Sequence, residues 1–438
     1  MHWRQLEFQK IGAIKPHPKN ARTHPAKQIR RLVESINQFG FTSPLLVDEN
    51  NVILAGHARW QAAKEAGLKV VPVIVIQGLS DAKKRAYVLA DNKIAELAGY
   101  DRPALALELE ELSFLLAEDD LDLSLTGFEP AEIDSLFADL VDTETDPADD
   151  LPEIAAEAVS RNSDLWVLGD RHRLLCDDAR HANYAGLMGG ERAAMVFTDP
   201  PYNVSIPKTV GRGRTKYRNF AMAAGEMPPA VYTKFLTDGL TPAAANSVDG
   251  ALHFVCIDWR HMREMLDAGD SIYSELKNLV VWSKTNAGQG SLYRSQHELI
   301  FVYKAGAGSH LNNVELGRHG RNRSNVWTYA GGNAFRAGRM ADLTAHPTVK
   351  PIALVADAIR DCSRRGDVVL DPFMGVGTTI LAAERIGRRA YGIEIDPLYV
   401  DAAIRRWQSV TNGDAILEGT LKSFDEMGQT RSRGRRAK

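Results

Sequence analysis

Apolar positions fall at helical spacing over residues 28–39, where Ile29, Leu32, Val33 and Ile36 share a face and Gly40 closes the run. Short apolar runs at 44–47 and 52–55 predict strands. The second leads into Gly56-His57-Ala58-Arg59-Trp60 and a helix over 60–66, closed by Gly67. A strand over 70–76 and a helix over 81–96 complete a small α/β domain within residues 1–100. Residues 105–116 and 130–140 have enough apolar positions for two short helices, and the acidic, proline-containing stretch 142–152 reads as a linker. The rhythm then changes. A hairpin over 165–170 and 172–176 precedes strands at 193–197, 251–256, 279–282, 299–303, 367–370 and 390–396, separated by helical patterns. Such alternation predicts an α/β fold, a Rossmann-like doubly wound sheet, in a second domain over 161–412. Residues 101–160 are then an acidic helical connector, and 413–438 a basic tail.

Overall composition is ordinary for a globular chain: 438 residues, 44% hydrophobic, 25% charged, net charge −3. The distribution of charge is not. Residues 103–160 hold 18 Asp and Glu and no Lys or Arg, which leaves +15 on the other 380 residues. A basic body with an acidic connector suits a polyanionic partner. Five basic residues from Arg431 onward predict a disordered tail with a non-specific DNA role. No apolar run approaches the roughly 18 residues of a membrane span, and the first ten residues carry no apolar signal core. Cys176, Cys256 and Cys362 stand far apart, which predicts buried thiols in a reducing, cytoplasmic compartment. No His, Cys or Asp cluster has ligand spacing, so no metal is expected.

The strand over 193–197 runs into Thr198-Asp199-Pro200-Pro201-Tyr202-Asn203. Two prolines stop the ladder. They leave a carboxylate, rigid carbonyls and an aromatic face at the end of a strand, where open α/β sheets bind ligands. Alone, this is equally a stiffened turn. The last third of the chain supplies a second constellation. A strand over 367–370 leads into Asp371-Pro372-Phe373-Met374-Gly375-Val376-Gly377-Thr378-Thr379 and a helix, an arrangement that lets a ligand approach the backbone closely. Glu394 ends the next strand, 23 residues after Asp371, placed to accept hydrogen bonds from ribose hydroxyls. The P-loop lysine and the G-x-G-x-x-G pattern are both absent, which predicts a nucleoside ligand without a pyrophosphate. Residues 205–220, with five basic residues and no acids, read as a mobile loop beside the site. Residues 304–345 interleave Arg318, Arg321, Arg323, Arg336 and Arg339 with Trp327, Tyr329 and Phe335, a mixture suited to phosphate contact and base stacking. In the first domain, Gly56, His57 and Arg59 form a candidate phosphate cradle at a helix start.

These residues carry two resemblances. Across the first domain, Asn20-Ala21-Arg22, Gly40-Phe41-Thr42-Ser43-Pro44-Leu45, the G-H-A-R-W box and Asp91-Asn92-Lys93 resemble the N-terminal domain of the ParB/sulfiredoxin superfamily, which implies a nucleotide- or DNA-contacting fold. His57 and Ala58 depart from the usual G-E-R-R box, Gly56 stands where sulfiredoxins have cysteine, and no helix-turn-helix is recognisable afterwards. From 164 to 408 the chain resembles the β class of DNA amino-methyltransferases, which use S-adenosylmethionine. D-P-P-Y matches the catalytic motif, D-P-F-M-G-V-G-T-T the motif for the methionine moiety, and G-I-E-I-D the ribose motif. Trp282-Ser283-Lys284, Tyr293-Arg294-Ser295-Gln296-His297-Glu298 and His346-Pro347-Thr348-Val349-Lys350-Pro351 match in order between them. The catalytic box precedes the cofactor box, as in the permuted β class, whose target-recognition region falls where residues 304–345 stand.

The resemblance implies catalytic roles for Asp199, Pro200, Pro201 and Tyr202. It places Asp178, Lys350, Asp371, Phe373, Gly375, Gly377, Thr378 and Glu394 around S-adenosylmethionine, and the five arginines of 304–345 on DNA. Asp rather than Ser before the prolines favours a flipped adenine as target, with the N(4) amine of cytosine as the alternative. Implied partners are double-stranded DNA, a nucleotide at the first domain and, as an open arrangement, a second copy of the chain. A ParB-like DNA-binding or nuclease protein with a secondary methyltransferase half is the reading from another class.

Overall fold

The computed structural model describes residues 5–118, 123–138, 154–204, 222–285, 287, 292–317, 323–330 and 349–436. The chain forms two compact units, Met1–Leu140 and Val141–Lys438.

In the first unit the order is β1 (Leu6–Lys10), α1 (Ala26–Phe39), β2 (Leu45–Asp48), β3 (Ile53–Ala55), α2 (His57–Glu65), β4 (Val70–Ile76) and α3 (Asp81–Ala95), followed by α4 (Arg102–Glu118) and α5 (Pro130–Ala138). The strands make one sheet, ordered β1-β4-β2-β3, in which only β2 and β4 run parallel. Leu45, Val47, Ile53, Ala63, Val71 and Val73 form its core. The acidic segment is more than a spacer. Ala106, Leu109, Leu123, Ile133 and Leu136 close a small core of their own. Glu129, just before α5, pairs with Lys27 at 2.7 Å and Arg31 at 2.8 Å on α1. The first compact unit thus takes in α4 and α5 together with the sheet. The expected linker at 142–152 lies outside the described residues.

The second unit runs β5 (Leu165–Leu168), β6 (His172–Cys176), α6 (Tyr184–Met188), β7 (Ala193–Thr198), α7 (Pro229–Ala245), β8 (Ser247–Ile257), α8 (Met262–Ile272), β9 (Glu275–Lys284), β10 (His297–Lys304), β11 (Val326–Tyr329), α9 (Ile352–Cys362), β12 (Val368–Asp371), α10 (Thr378–Arg385), β13 (Arg389–Glu394), α11 (Pro397–Thr411), β14 (Ala415–Leu417) and α12 (Phe424–Arg436). Ten strands form one sheet, ordered β11-β9-β10-β8-β7-β12-β13-β6-β5-β14. The five central strands, β8, β7, β12, β13 and β6, are parallel, and both flanks turn antiparallel. Strands covered on both faces need no polar alternation, and the apolar run Ala193 to Phe197 is buried almost throughout. From β7 the chain crosses to β8 on one side, whereas from β12 it crosses to β13 on the other. The strand order therefore reverses between β7 and β12, the place where doubly wound sheets open a ligand crevice.

Two expectations change in this unit. The basic tail is not free: β14 pairs with β5, Phe424 is fully buried edge-on against Trp166, and Arg431 pairs with Asp164 at 2.5 and 3.0 Å. Residues 413–436 thus complete the sheet and its cover. Part of 304–345 is also sheet, because β11 lies parallel to β9 and buries Trp327 in the main core. Arg318, Arg321, Arg336 and Arg339, together with Phe335 and the basic loop 205–220, lie outside the described residues. No helix among the described residues is long and apolar enough to cross a membrane.

Candidate active site

Thr198 ends β7 and Asp371 ends β12. The Thr198 hydroxyl donates to Asp371 Oδ1 at 2.8 Å, so two boxes far apart in the chain meet through one buried hydrogen bond. Asp371 also accepts from the Phe373 amide at 3.0 Å and the Thr379 hydroxyl at 2.6 Å. Its carboxylate is spent on shaping the turn. Burial raises it to about 6, although these three donors pull the other way. The turn also needs its glycines. Gly375 and Gly377 have φ of +56° and +82°, a region that L side chains avoid. A Cβ on Gly377 would stand 2.9 Å from the Ala403 Cβ.

Beside this turn opens a cleft of about 1080 Å3, open solvent included, lined by Asp178, Asp199, Pro200, Pro201, Tyr202, Lys350, Asp371, Phe373, Gly375, Thr378 and Glu394. Every catalytic and cofactor residue expected from the sequence is on its wall except Gly377, which acts from behind as the N-cap of α10. Glu394 accepts from the Gly375 and Asp396 amides, both at 2.8 Å. Burial raises it to about 7 against those two hydrogen bonds. Asp178 is paired with Arg180 at 2.6 Å.

The catalytic box is held from beneath. Tyr232 of α7 donates to the Pro201 carbonyl at 2.8 Å. Asn203 (φ +53°) accepts from the Gly225 and Met227 amides and donates to the Met227 carbonyl, which fixes the return of the chain toward α7. Asp199 Oδ1 accepts from the Tyr202 hydroxyl at 2.5 Å, and Asp199 Oδ2 lies 2.5 Å from Lys350 Nζ. Burial, then Glu298, push the Asp199 carboxyl up, against the pull of Lys350. Lys350 was expected at the cofactor. It lines the cleft, but its ammonium is committed to Asp199, to the Tyr202 hydroxyl at 2.9 Å and to Glu298 at 3.0 Å. Glu298 and Lys284 escaped the reading of site residues. The signal available was their place in two of the motifs that match the resembled family in order, Trp282-Ser283-Lys284 and Tyr293-Arg294-Ser295-Gln296-His297-Glu298. Burial works against the Glu298 carboxylate, yet Lys350 and Lys284 hold it down at about 2.

Arg323 is a correction. It pairs with Asp357 at 2.8 Å and Asp361 at 2.9 Å, and lies over the Trp327 ring at 4.5 Å. It clamps β11 to α9, so its charge is already used within the fold rather than offered to phosphate.

In the first unit, Gly56 caps α2 with φ +100°, and a Cβ there would stand 2.7 Å from Leu45. Gly56, His57 and Arg59 line a second cleft with Arg22, His24 and Asn92. Arg22 donates to the Asn92 side chain at 3.0 Å, which joins two segments distant in sequence. His57 Nε2 accepts from the His17 amide at 3.1 Å. Burial, with His17 and His24 nearby, drops its pKa to about 4, so the imidazole is neutral at pH 7.

A DNA methylase family matches residues 193–405, and a ParB N-terminal domain family matches residues 3–93. The chain joins a ParB N-terminal domain to an N6/N4-type DNA methyltransferase domain. A third family, the ParB-methyltransferase HTH domain, matches residues 103–162. That match overturns the expectation that no helix-turn-helix follows the first domain; the acidic composition had hidden it.

The ParB-like nuclease domain-containing protein YnaK of Escherichia coli K12 is 44% identical over 81 residues, 18% of this chain and 93% of that protein. The type II methyltransferase M.ScaI of Streptomyces caespitosus is 38% identical over 90 residues, 20% of this chain and 30% of that enzyme. The structure of TTHA0409 from Thermus thermophilus, complexed with S-adenosyl-L-methionine, is 23% identical and covers 57% of this chain and 100% of its own, with a TM-score of 0.39.

The cofactor of this methyltransferase is S-adenosylmethionine. The cleft suits its chemistry. Glu394 offers buried carboxylate oxygens to ribose hydroxyls, Phe373 and Ile395 offer apolar faces, and Gly375 leaves its backbone open to a close approach.

Proposed function

We propose that the chain methylates the exocyclic N6 amine of an adenine flipped out of double-stranded DNA, at a specific sequence. The observation that carries this reading is the placement of Asp199, Pro200 and Tyr202 at the strand-order reversal, on the wall of the cleft that also holds Glu394. An exocyclic amine is a weak nucleophile because its lone pair is delocalised into the ring. Asp199 and the Pro200 carbonyl accept its hydrogens, which favours a pyramidal nitrogen and stabilises the positive charge developing there. Tyr202 supplies a face for the flipped base, whose extrusion from duplex costs a few kcal/mol. When bound, S-adenosylmethionine supplies an electrophilic methyl group. The chain holds the amine in line with it, and positioning carries much of the acceleration. A nucleophilic cysteine has no part in this chemistry: Cys256 is buried, and burial pushes its thiol well up.

Asp rather than Ser at position 199 supports adenine over the N(4) amine of cytosine. Methyl transfer from labelled S-adenosylmethionine to DNA, followed by nucleoside analysis, tests the choice. N6-methyladenine is expected; N4-methylcytosine selects the second reading, and an unmodified DNA selects a ParB-like DNA-binding or nuclease role. Asp199→Ala should lower kcat by about 10²- to 10³-fold while calorimetry shows unchanged S-adenosylmethionine affinity. Full activity in that variant rejects the mechanism.

For the first unit we propose a nucleotide site at Gly56, His57 and Arg59. The start of α2, with Arg22 and Arg59 beside it, supports a phosphate there. Binding of labelled nucleoside triphosphates to the wild type and to Arg59→Ala tests it.

A further inference from the structure

Asp199 does not meet its cation alone. Lys350 Nζ lies 2.5 Å from Asp199 Oδ2 and 3.0 Å from Glu298 Oε2. The Tyr202 hydroxyl lies 2.5 Å from Asp199 Oδ1 and 3.0 Å from that same Glu298 oxygen. Both side chains that engage Asp199 therefore also engage Glu298. The other Glu298 oxygen is gripped by Lys284. The strand register explains how. Glu298 of β10 stands opposite Trp282 of β9. Lys284, two residues further along, shares that face and reaches Glu298 on the diagonal.

This arrangement answers a difficulty in the reaction. Positive charge grows on an amine held by Asp199. An ammonium beside the same carboxylate opposes that charge, strongly so in a water-poor cleft. It also competes with the amine for the Asp199 oxygens. A second carboxylate sharing the ammonium relieves both effects. We propose that Glu298 is a positioning residue for methyl transfer: anchored by Lys284, it shares Lys350 and the Tyr202 hydroxyl with Asp199, so that neither is held by Asp199 alone and that carboxylate can take up the base amine. The proposal rests on the base-amine reading above. Lys350 remains charged throughout: burial disfavours its ammonium, but Asp199 and Glu298 outweigh it.

The pH dependence separates this role from a packing role. The groups facing Asp199 are Tyr202 on its own turn, Tyr232 of α7, Cys256 of β8, Glu298 of β10, Lys350 before α9 and Asp371 of β12. Burial and Glu298 push Asp199 up, while Lys350 and Tyr202 push it down. Loss of the Glu298 charge must then lower the Asp199 pKa.

The test is steady-state methyl transfer by the full chain from about pH 5 to 9, with wild type, Glu298→Gln, Glu298→Asp and Lys284→Met. In Glu298→Gln, kcat should fall by about ten- to hundredfold, the KM for S-adenosylmethionine should stay within about twofold, and the acid limb of kcat should move to lower pH. Glu298→Asp should recover part of the rate, and Lys284→Met should show a smaller fall in the same direction. A Glu298→Gln rate within about twofold of wild type overturns the proposal. So does a slower Glu298→Gln whose acid limb is unmoved. A wild type with no methyl transfer overturns the base-amine reading itself, whereas an active wild type with an indifferent Glu298→Gln overturns this proposal alone.

Discussion

Burial raises two carboxyls in the cleft, Asp371 to about 6 and Glu394 to about 7, with hydrogen-bond donors pulling against it in both. A carboxyl whose folded value lies above its unfolded one makes the folded state the better proton binder between the two values. The contribution of this pair to stability is thus present below the unfolded value, near pH 4, and is lost as pH rises through 6 to 7. Ligand binding follows the opposite sign, because ribose hydroxyls donate best to an ionised Glu394. Calorimetric titration should show S-adenosylmethionine binding several-fold more weakly at about pH 6 than at pH 8, and Glu394→Gln should flatten that difference. A flat wild-type profile removes Glu394 from the ribose contact. At this scale the place of Asp199 was legible in a run of four residues, since two prolines that stop a strand leave the carboxylate before them at its end, and there it lines the cleft. That of Lys350 was not, because a lysine shows its charge in sequence but not which carboxylate it will meet.

At the scale of elements, the spacing of apolar residues located β7, β12 and β13 to within a residue or two, since fully buried strands carry continuous apolar runs. The edges of the sheet were harder to read. β11 and β14 have four and three residues, too short for periodicity to declare them, and both lie in segments whose arginines suggested loop or tail. Their partners are what order them. The C-terminal helix α12 is polar for most of its length, yet Phe424 packs fully buried against Trp166 and Arg431 pairs with Asp164. Phe424→Ala should therefore cost about 3–5 kcal/mol of stability, read as a lower urea midpoint at unchanged slope. A change below about 0.5 kcal/mol would show that the helix is not part of the cooperative unit.

For the whole molecule, charge is the dominant feature. The acids of 103–160 sit within an otherwise basic chain, and Glu129 already neutralises Lys27 and Arg31 inside the first unit. Replacing Asp142, Glu144, Asp146, Asp149, Asp150 and Glu153 by their amides should tighten non-specific DNA binding several-fold at low salt, with the difference vanishing as counterions screen it. Equal affinity at about 50 mM salt would mean that these acids do not compete with DNA. The combination of units was readable from motifs in order along the chain: the ParB pieces first, then the catalytic box, then the cofactor turn. The intervening helix-turn-helix match was hidden because composition reports charge and not the packing of Ala106, Leu109, Ile133 and Leu136.

By itself, then, the sequence determined the chemistry on offer: which residue types stand at strand ends, in which order, and with which glycines to let a nucleoside approach. Those are local matters, dictated by side-chain period, proline and φ. Which carboxylate does what was decided only by the tertiary structure. Asp371 became a turn-shaping acceptor once β12 lay beside β7 and brought Thr198 to it. Arg323 became a clamp once β11 paired with β9 near α9. Lys350 came to rest between Asp199, which follows β7, and Glu298 of β10. The physical reason is that a charge is satisfied by whatever lies within a few ångströms of it, and sheet order, rather than sequence order, sets that neighbourhood.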